Sequence, residues 1–170
     1  MKDSSPESRN PESAPEGGKP PVEISIGELR KKLKAQPLPE KLFFFSNLVY
    51  LCATILPWES IPLSGPPEPS LSLNGWTFGG LTALGHLGIL AALLIQLGGL
   101  AGLGPGLSRA FFRVYRWVLP CVALLVLFRL LSAARIGLGL WIAILALAIQ
   151  LKVAYSFCER MGLLPFRLKP

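Results

Sequence analysis

The sequence predicts an all-α polytopic membrane protein, a four-helix transmembrane bundle that follows a disordered N-terminal tail. Hydrophobic residues make up 51% of the 170 residues and charged residues only 16%, and the mean hydropathy is +0.49. The apolar residues are collected in four long runs, as in proteins that cross a bilayer several times. The net charge of +7 comes from cations that cluster just outside these runs, which indicates a membrane surface and argues against a nucleic-acid partner.

The N-terminal segment differs from the rest of the chain in composition. Residues 1–22 are rich in Pro, Ser, Glu and Gly and hold almost no large apolar side chain. Such a segment cannot bury enough surface to offset the entropy lost on ordering. We therefore expect residues 1–22 to form a disordered cytoplasmic tail.

A short basic amphipathic helix and a linker are expected over residues 23–40. Ser25 and Glu28 match the S-x-x-E capping box at the start of such a helix. Lysines and an arginine surround one apolar face, which consists of Ile26, Leu29 and Leu33. This pattern is typical of a helix on an anionic leaflet, but a solvated helix or one that docks on a partner fits it equally well.

The transmembrane domain is predicted over residues 41–170. Its four spans are placed at residues 42–58, 75–100, 117–134 and 138–157. The first span would be about 25 Å long, short for an apolar core of about 30 Å, so Trp58 is expected to anchor its outer end at the interface. The segment between spans one and two holds four prolines and is predicted to be an exposed loop. Pro120 either starts span three or kinks it.

The distribution of cations predicts the topology. The lysine cluster before span one and the arginines between spans two and three, Arg109, Arg113 and Arg116, lie on one side if there are four spans. These three arginines belong either to a separate interfacial helix or to the start of span three. Arg160, Arg167 and Lys169 share that side, whereas Arg135 is the exception on the other. Both termini are therefore expected to be cytoplasmic.

Residues with catalytic or metal-binding chemistry are scarce. His86 is the one histidine in the chain, and no carboxylate falls in the middle of a span. The cysteines form no C-x-x-C motif and are expected to be small buried hydrophobic residues. No catalytic residue, metal site or cofactor is predicted, and the chain is not expected to be an enzyme.

Four polar side chains inside the spans are the candidate interaction residues: His86, Gln96, Arg129 and Gln150. Arg129 either snorkels to lipid phosphate or faces the bundle or a partner, where a carbonyl, His86, Glu59 or an anionic lipid would bind it. We expect Arg129 to face the outer half of the bundle or a neighbouring subunit. His86 is expected to be neutral and bonded to a carbonyl or hydroxyl across the bundle.

Small residues predict where helices approach one another closely. Gly75 and Gly79 match the G-x-x-x-G packing motif, and Thr82 extends the same face. The helix that packs there is expected to belong to the same chain, with another subunit as the alternative.

The stretches ILPWESI and LNGWTFGGL, which flank the polar loop, contain an L-P-W … G-W pattern. Pro57, Trp58, Gly75 and Trp76 carry this pattern within residues 49–97. The pattern resembles that of small bacterial four-span membrane proteins, most of which have no assigned function. The resemblance implies a multi-pass protein of the bacterial inner membrane.

The function that this sequence predicts is non-catalytic: an accessory or scaffold subunit of a larger membrane complex, with the lipid bilayer and other membrane subunits as partners. The alternative is a small transporter or channel in which His86, Gln96, Arg129 and Gln150 line a path for an anion or a lipid. An enzyme would need His86 and Arg129 in one pocket beside a bound cofactor.

Overall fold

The structure, a computed structural model, describes residues 25–62, 70–104, 106–133 and 135–163. The predicted tail, residues 1–22, lies outside these ranges. The described chain is mostly helical, with five α-helices: α1 (Ile26–Ala35), α2 (Leu38–Ile55), α3 (Gly80–Ala101), α4 (Arg109–Ser132) and α5 (Leu138–Arg160). Two strands, β1 (Pro57–Pro62) and β2 (Ser70–Asn74), and a 3-10 helix (Gly75–Phe78) connect α2 to α3.

Helices α2 to α5 form a bundle in which each helix packs against two others. The cyclic order is α2, α5, α4, α3, and the most extensive contact joins α2 to α5. Small buried residues lie at that contact, among them Ala53, Ala143 and Ala146. Since small residues let helix backbones approach closely, they explain why α2 and α5 pack so extensively.

Three helices of the described chain are long and apolar enough to cross a membrane: α3, α4 and α5. Helix α2 is shorter, at 18 residues, and its first turn contains Glu40. The prediction of a membrane protein with apolar helices is therefore confirmed in part, and the fourth crossing stays a prediction.

The end of α2 differs from the predicted first span. The helix ends at Ile55, because Pro57 lacks a backbone N–H and the residue before it, Leu56, is held in an extended conformation with ψ of 160°. Trp58 lies in β1 and is 1% exposed. The prediction of Trp58 as an interfacial anchor is thus wrong, because the turn at Pro57 folds the indole back into the bundle.

A two-stranded antiparallel sheet takes the place of part of the predicted loop, within a described chain that is otherwise mostly helical. Strands β1 and β2 pair from Pro57–Asn74 to Pro62–Ser70, with an irregularity between Pro57 and Glu59. Prolines are tolerated at the ends of β1, where a missing N–H disrupts no central pairing. The Ser60 amide also donates to the Arg135 carbonyl at 3.1 Å, which attaches the hairpin to the turn between α4 and α5.

Helix α4 resolves two alternatives that the sequence left open. It begins at Arg109 and continues through Pro120, so the arginines belong to its first turns and the proline lies inside it. Ser108 caps the helix, since its Oγ accepts a hydrogen bond from the Phe111 amide at 3.3 Å.

Two other helix ends show contrasting capping. Ser25 is the N-cap of α1, but its side chain makes no capping hydrogen bond, so the capping-box prediction is wrong. At the end of α5, Gly162 adopts φ of +65° and the Leu163 amide donates to the Cys158 carbonyl at 2.8 Å. This geometry is that of a glycine cap at the end of a helix.

Two cysteines also differ from the prediction. Cys52 and Cys121 are exposed on the helix surface and only Cys158 is buried, and all three are free thiols. Spans that are apolar on all sides do not reveal which cysteine faces the core, because lipid-facing and buried positions have the same composition.

Candidate functional site

His86 lies at the centre of a buried cluster, at the end of the bundle where α2 ends and α3 begins. Its Nδ1 is 3.0 Å from the Tyr50 hydroxyl, and its Nε2 is 3.1 Å from the Gly75 carbonyl oxygen. Because a carbonyl only accepts, Nε2 carries the hydrogen, and Nδ1 of the neutral ring accepts from Tyr50. Both ring nitrogens therefore bind groups of the protein itself.

Two tryptophans enclose the His86 ring. The centroids of Trp58 and Trp76 lie 5.4 and 5.0 Å from the imidazole centroid, both with edge-on geometry. The Trp58 indole N–H donates to the Ala53 carbonyl at 2.8 Å, and that of Trp76 donates to the Thr54 hydroxyl at 3.0 Å. Since the carbonyls in the last turn of a helix have no intrahelical partner, Trp58 satisfies one of those of α2.

Gly75 is required by the close packing of this cluster. A Cβ at position 75 would lie 2.9 Å from Cε2 of Trp58 and 3.1 Å from Nε2 of His86. Gly75 lies in the 3-10 helix, whereas Gly79 follows it with φ of +90° and has no atom within 4 Å of an added Cβ. The two glycines thus do not share one α-helical face, which corrects the predicted G-x-x-x-G contact. Thr82 is buried in α3.

Arg129 binds the same 3-10 helix from α4. Its Nη2 donates to the Phe78 carbonyl at 2.9 Å, and its guanidinium carbon is 4.4 Å from the centroid of the Phe78 ring. Of the partners considered from the sequence, the structure thus places a backbone carbonyl beside Arg129. His86 and Arg129 do not form a common pocket but bind opposite ends of one short helix, at Gly75 and Phe78.

The two glutamines tie α2 to its neighbours nearer the other end of the bundle. The side-chain amide of Gln150 donates to the Ser46 carbonyl at 3.0 Å, and that of Gln96 donates to the Glu40 carbonyl at 2.9 Å. The side-chain oxygens of both glutamines are buried and have no hydrogen-bond partner among the described residues. The four predicted polar residues therefore bind four different backbone carbonyls and do not converge.

Three polar side chains of α2 that take part in these contacts were not predicted from the sequence. Tyr50 and Thr54 complete the His86 cluster, and Asn47 links α2 to α4 by accepting a hydrogen bond from the Tyr115 hydroxyl at 3.3 Å. Their four- and three-residue spacing in the first apolar run is the signal that would have indicated one polar face.

The polar groups of the His86 cluster hold parts of the chain together. Its polar atoms are bonded to one another or to backbone carbonyls. Across the described ranges, no three His, Cys, Asp or Glu side chains are grouped so that they could hold a metal ion. No protein-family model, no curated protein and no solved structure matches the chain.

The Tyr50–His86 hydrogen bond is testable by a double-mutant cycle. We expect Tyr50→Phe and His86→Leu each to lower the free energy of unfolding, with a coupling energy of about 0.6–1.7 kcal/mol, the range for side-chain hydrogen bonds within membranes. Reversible unfolding in mixed micelles measures it. Tyr155→Phe, at a residue 42% exposed on α5, is the matched control and should show no coupling to His86→Leu.

Proposed function

We propose that the protein is a non-catalytic accessory or assembly subunit of a larger membrane complex in the bacterial inner membrane. The observation that carries this proposal is the internal use of the polar side chains. His86, Gln96, Arg129 and Gln150 all donate to backbone carbonyls of the same chain. Such bonds fix the relative positions of helices and leave an apolar outer surface for lipid and partner helices.

We further propose that α2 is the first of four spans and that both termini are cytoplasmic. Helix α2 packs extensively along α5, which is apolar enough to cross the membrane. Its 18 residues correspond to about 27 Å, somewhat short for an apolar core of about 30 Å, as expected for the first span. With four spans, the cations of α1 and of the first turns of α4 lie on one side, as the positive-inside rule favours.

The surface for a partner helix is a strip along α4. We define the α4 strip as six exposed residues: Val114, Trp117, Cys121, Leu124, Phe128 and Leu131. They alternate at spacings of three and four residues, as do residues that face a neighbouring helix in a left-handed pair. In the apolar stretch of α4, 22% is buried within the protein, compared with 39% in α3 and 44% in α5. Of these three helices, α4 therefore has the largest share of its apolar stretch left uncovered by the rest of the chain.

Cys121 allows this surface to be tested in native membranes. We would compare a C52S/C158S variant, which retains Cys121 in the strip, with a C121S/C158S variant, which retains exposed Cys52 on α2. Each thiol is labelled with a benzophenone maleimide and photolysed, and a gentle-detergent purification gives the mass of the intact particle. We expect the label on Cys121 to form an adduct with a different membrane protein, and that protein to be present in the intact particle. The label on Cys52 should give a much lower yield of this adduct.

Three results would contradict the proposal. One is a particle that contains only this chain, and a second is equal adduct formation from both cysteines. The third is an adduct that consists only of two copies of this chain, which would replace an accessory subunit with a homo-oligomer. We favour the accessory role over a transporter or channel because the four polar side chains bind separate carbonyls instead of lining one path.

A further inference from the structure

A polar cavity of about 260 Å³ lies at the end of the bundle where α2 begins and α3 ends. Gln36, Glu40 and Gln96 line it, together with residues of the α3–α4 connection such as Gly106. Gln36 lies between α1 and α2, four residues before Glu40, whereas Gln96 is in α3, so two regions distant in sequence line one small space.

The cavity carries hydrogen-bond acceptors that lack donors. Gln96 is 2% exposed, and its amide nitrogen is already used by the Glu40 carbonyl. Within the described part of the chain, its Oε1 is therefore left without a partner, and Oε1 of Gln36 is also buried without one. A buried acceptor without a donor destabilises the protein, and a bound donor would recover that cost.

The charge of the cavity selects a cation. Among the described residues, the Glu40 carboxylate has no ion pair and no Lys or Arg lines the cavity. A primary ammonium carries one positive charge and three N–H donors, so it matches two amide oxygens and one carboxylate.

An apolar groove of about 470 Å³ adjoins this cavity between α3 and α4. Ala91 and Ile95 of α3 and Val114 and Val118 of α4 form its walls. Gly106 lines both the groove and the polar cavity, so the two spaces meet at this residue. A ligand that occupies both would have a cationic donor group at the end of the bundle and a hydrocarbon chain along the helices.

We propose that the two spaces together bind one phospholipid with a primary-ammonium headgroup, phosphatidylethanolamine. The ammonium donates to Gln36, Glu40 and Gln96, and one acyl chain lies in the α3–α4 groove. Arg109 is exposed at the start of α4, three residues after Gly106, and provides a cation for the lipid phosphate on the same side. This proposal requires insertion into a membrane but no partner subunit.

Progressive N-methylation of the headgroup tests the ammonium directly, because it removes N–H donors and keeps the charge. The purified full chain is titrated with phosphatidylethanolamine, its mono- and dimethyl forms and phosphatidylcholine of identical acyl chains, and native mass spectrometry counts the bound lipid. We expect affinity to fall with each methyl group, with phosphatidylethanolamine bound about tenfold more tightly than phosphatidylcholine, or about 1.4 kcal/mol.

A matched pair of glutamine variants locates the site. Q96L is expected to bring phosphatidylethanolamine to within about twofold of phosphatidylcholine, since it removes one acceptor. Q150L removes a buried glutamine with a similarly unpartnered oxygen outside the cavity and should leave the ratio unchanged. If Q96L does not fold, E40Q decides, because it removes the negative charge at nearly the same volume and should also lower the ratio.

The acyl chain is tested separately. A91W fills the groove and is expected to weaken both lipids while their ratio is retained. Equal binding of both lipids, or the same loss in Q150L as in Q96L, would overturn the headgroup assignment. An unchanged affinity in A91W, or displacement by free ethanolamine at lipid-like concentration, would overturn the lipid assignment and indicate a site for a soluble amine.

Discussion

Trp58→Ala is expected to lower the free energy of unfolding by about 3–5 kcal/mol, the largest effect of any single substitution we consider. Trp58 is 1% exposed and belongs to the core cluster. Its removal leaves a cavity beside His86 and leaves the Ala53 carbonyl without its donor. Reversible unfolding in mixed micelles, followed by circular dichroism, measures the change.

The matched control for Trp58→Ala is Trp117→Ala. Trp117 has the same side chain but is 67% exposed on α4, so its loss should cost less than about 1 kcal/mol. Similar losses in the two variants would mean that Trp58 does not belong to the core and that β1 does not fold back against the bundle.

Gly137→Ala is expected to have the second largest effect, a loss of about 1–3 kcal/mol or more from overpacking. Its φ of −86° suits any residue, so backbone strain is not the reason. An added Cβ would meet backbone atoms, lying 2.7 Å from the Pro57 carbonyl carbon and 3.0 Å from that of Trp58. The backbone of β1 would have to move away, and the hydrogen bond from the Gly137 amide to the Trp58 carbonyl, 2.8 Å long, would be weakened.

Gly98→Ala is the control, because an added Cβ at Gly98 meets no atom within 4 Å. Alanine is favoured over glycine inside a helix by about 0.5–1 kcal/mol, so this variant should be neutral or more stable. Thermal unfolding of the two variants in the same detergent compares them. If Gly137→Ala is as stable as Gly98→Ala, the contact between β1 and the start of α5 is not as close as the structure places it.

The sequence predicts the apolar helices well because their signal is composition over a long window. Glycine and proline also indicate where several helices end, as at Gly162. The hairpin was missed because its strands are short and contain prolines, and their pairing depends on the turn before α5, which is distant in sequence. Local patterns carry little information about such long-range pairing.

The site was predicted only as a set of residue types. His86 and Arg129 were identified because polar side chains are costly within a membrane, which makes them conspicuous. Their partners are backbone carbonyls, at Gly75 and Phe78. Every residue has a carbonyl, so nothing in the sequence distinguishes the one that a side chain will bind. For the same reason Gln96 and Gln150 could be identified but not connected.

The contact between α2 and α5 joins the first and last helices of the bundle, and this order has a consequence for biosynthesis. Helix α2 leaves the ribosome well before α5. The hydrogen bond from Gln150 to the Ser46 carbonyl, and that from Ser60 to the Arg135 carbonyl, can therefore form only after the later residues have been synthesised. Until then, α2 lacks the helix with which it makes its most extensive contact. A chain that stops before α5 would leave this face of α2 uncovered, and we expect it to be degraded faster than the full chain.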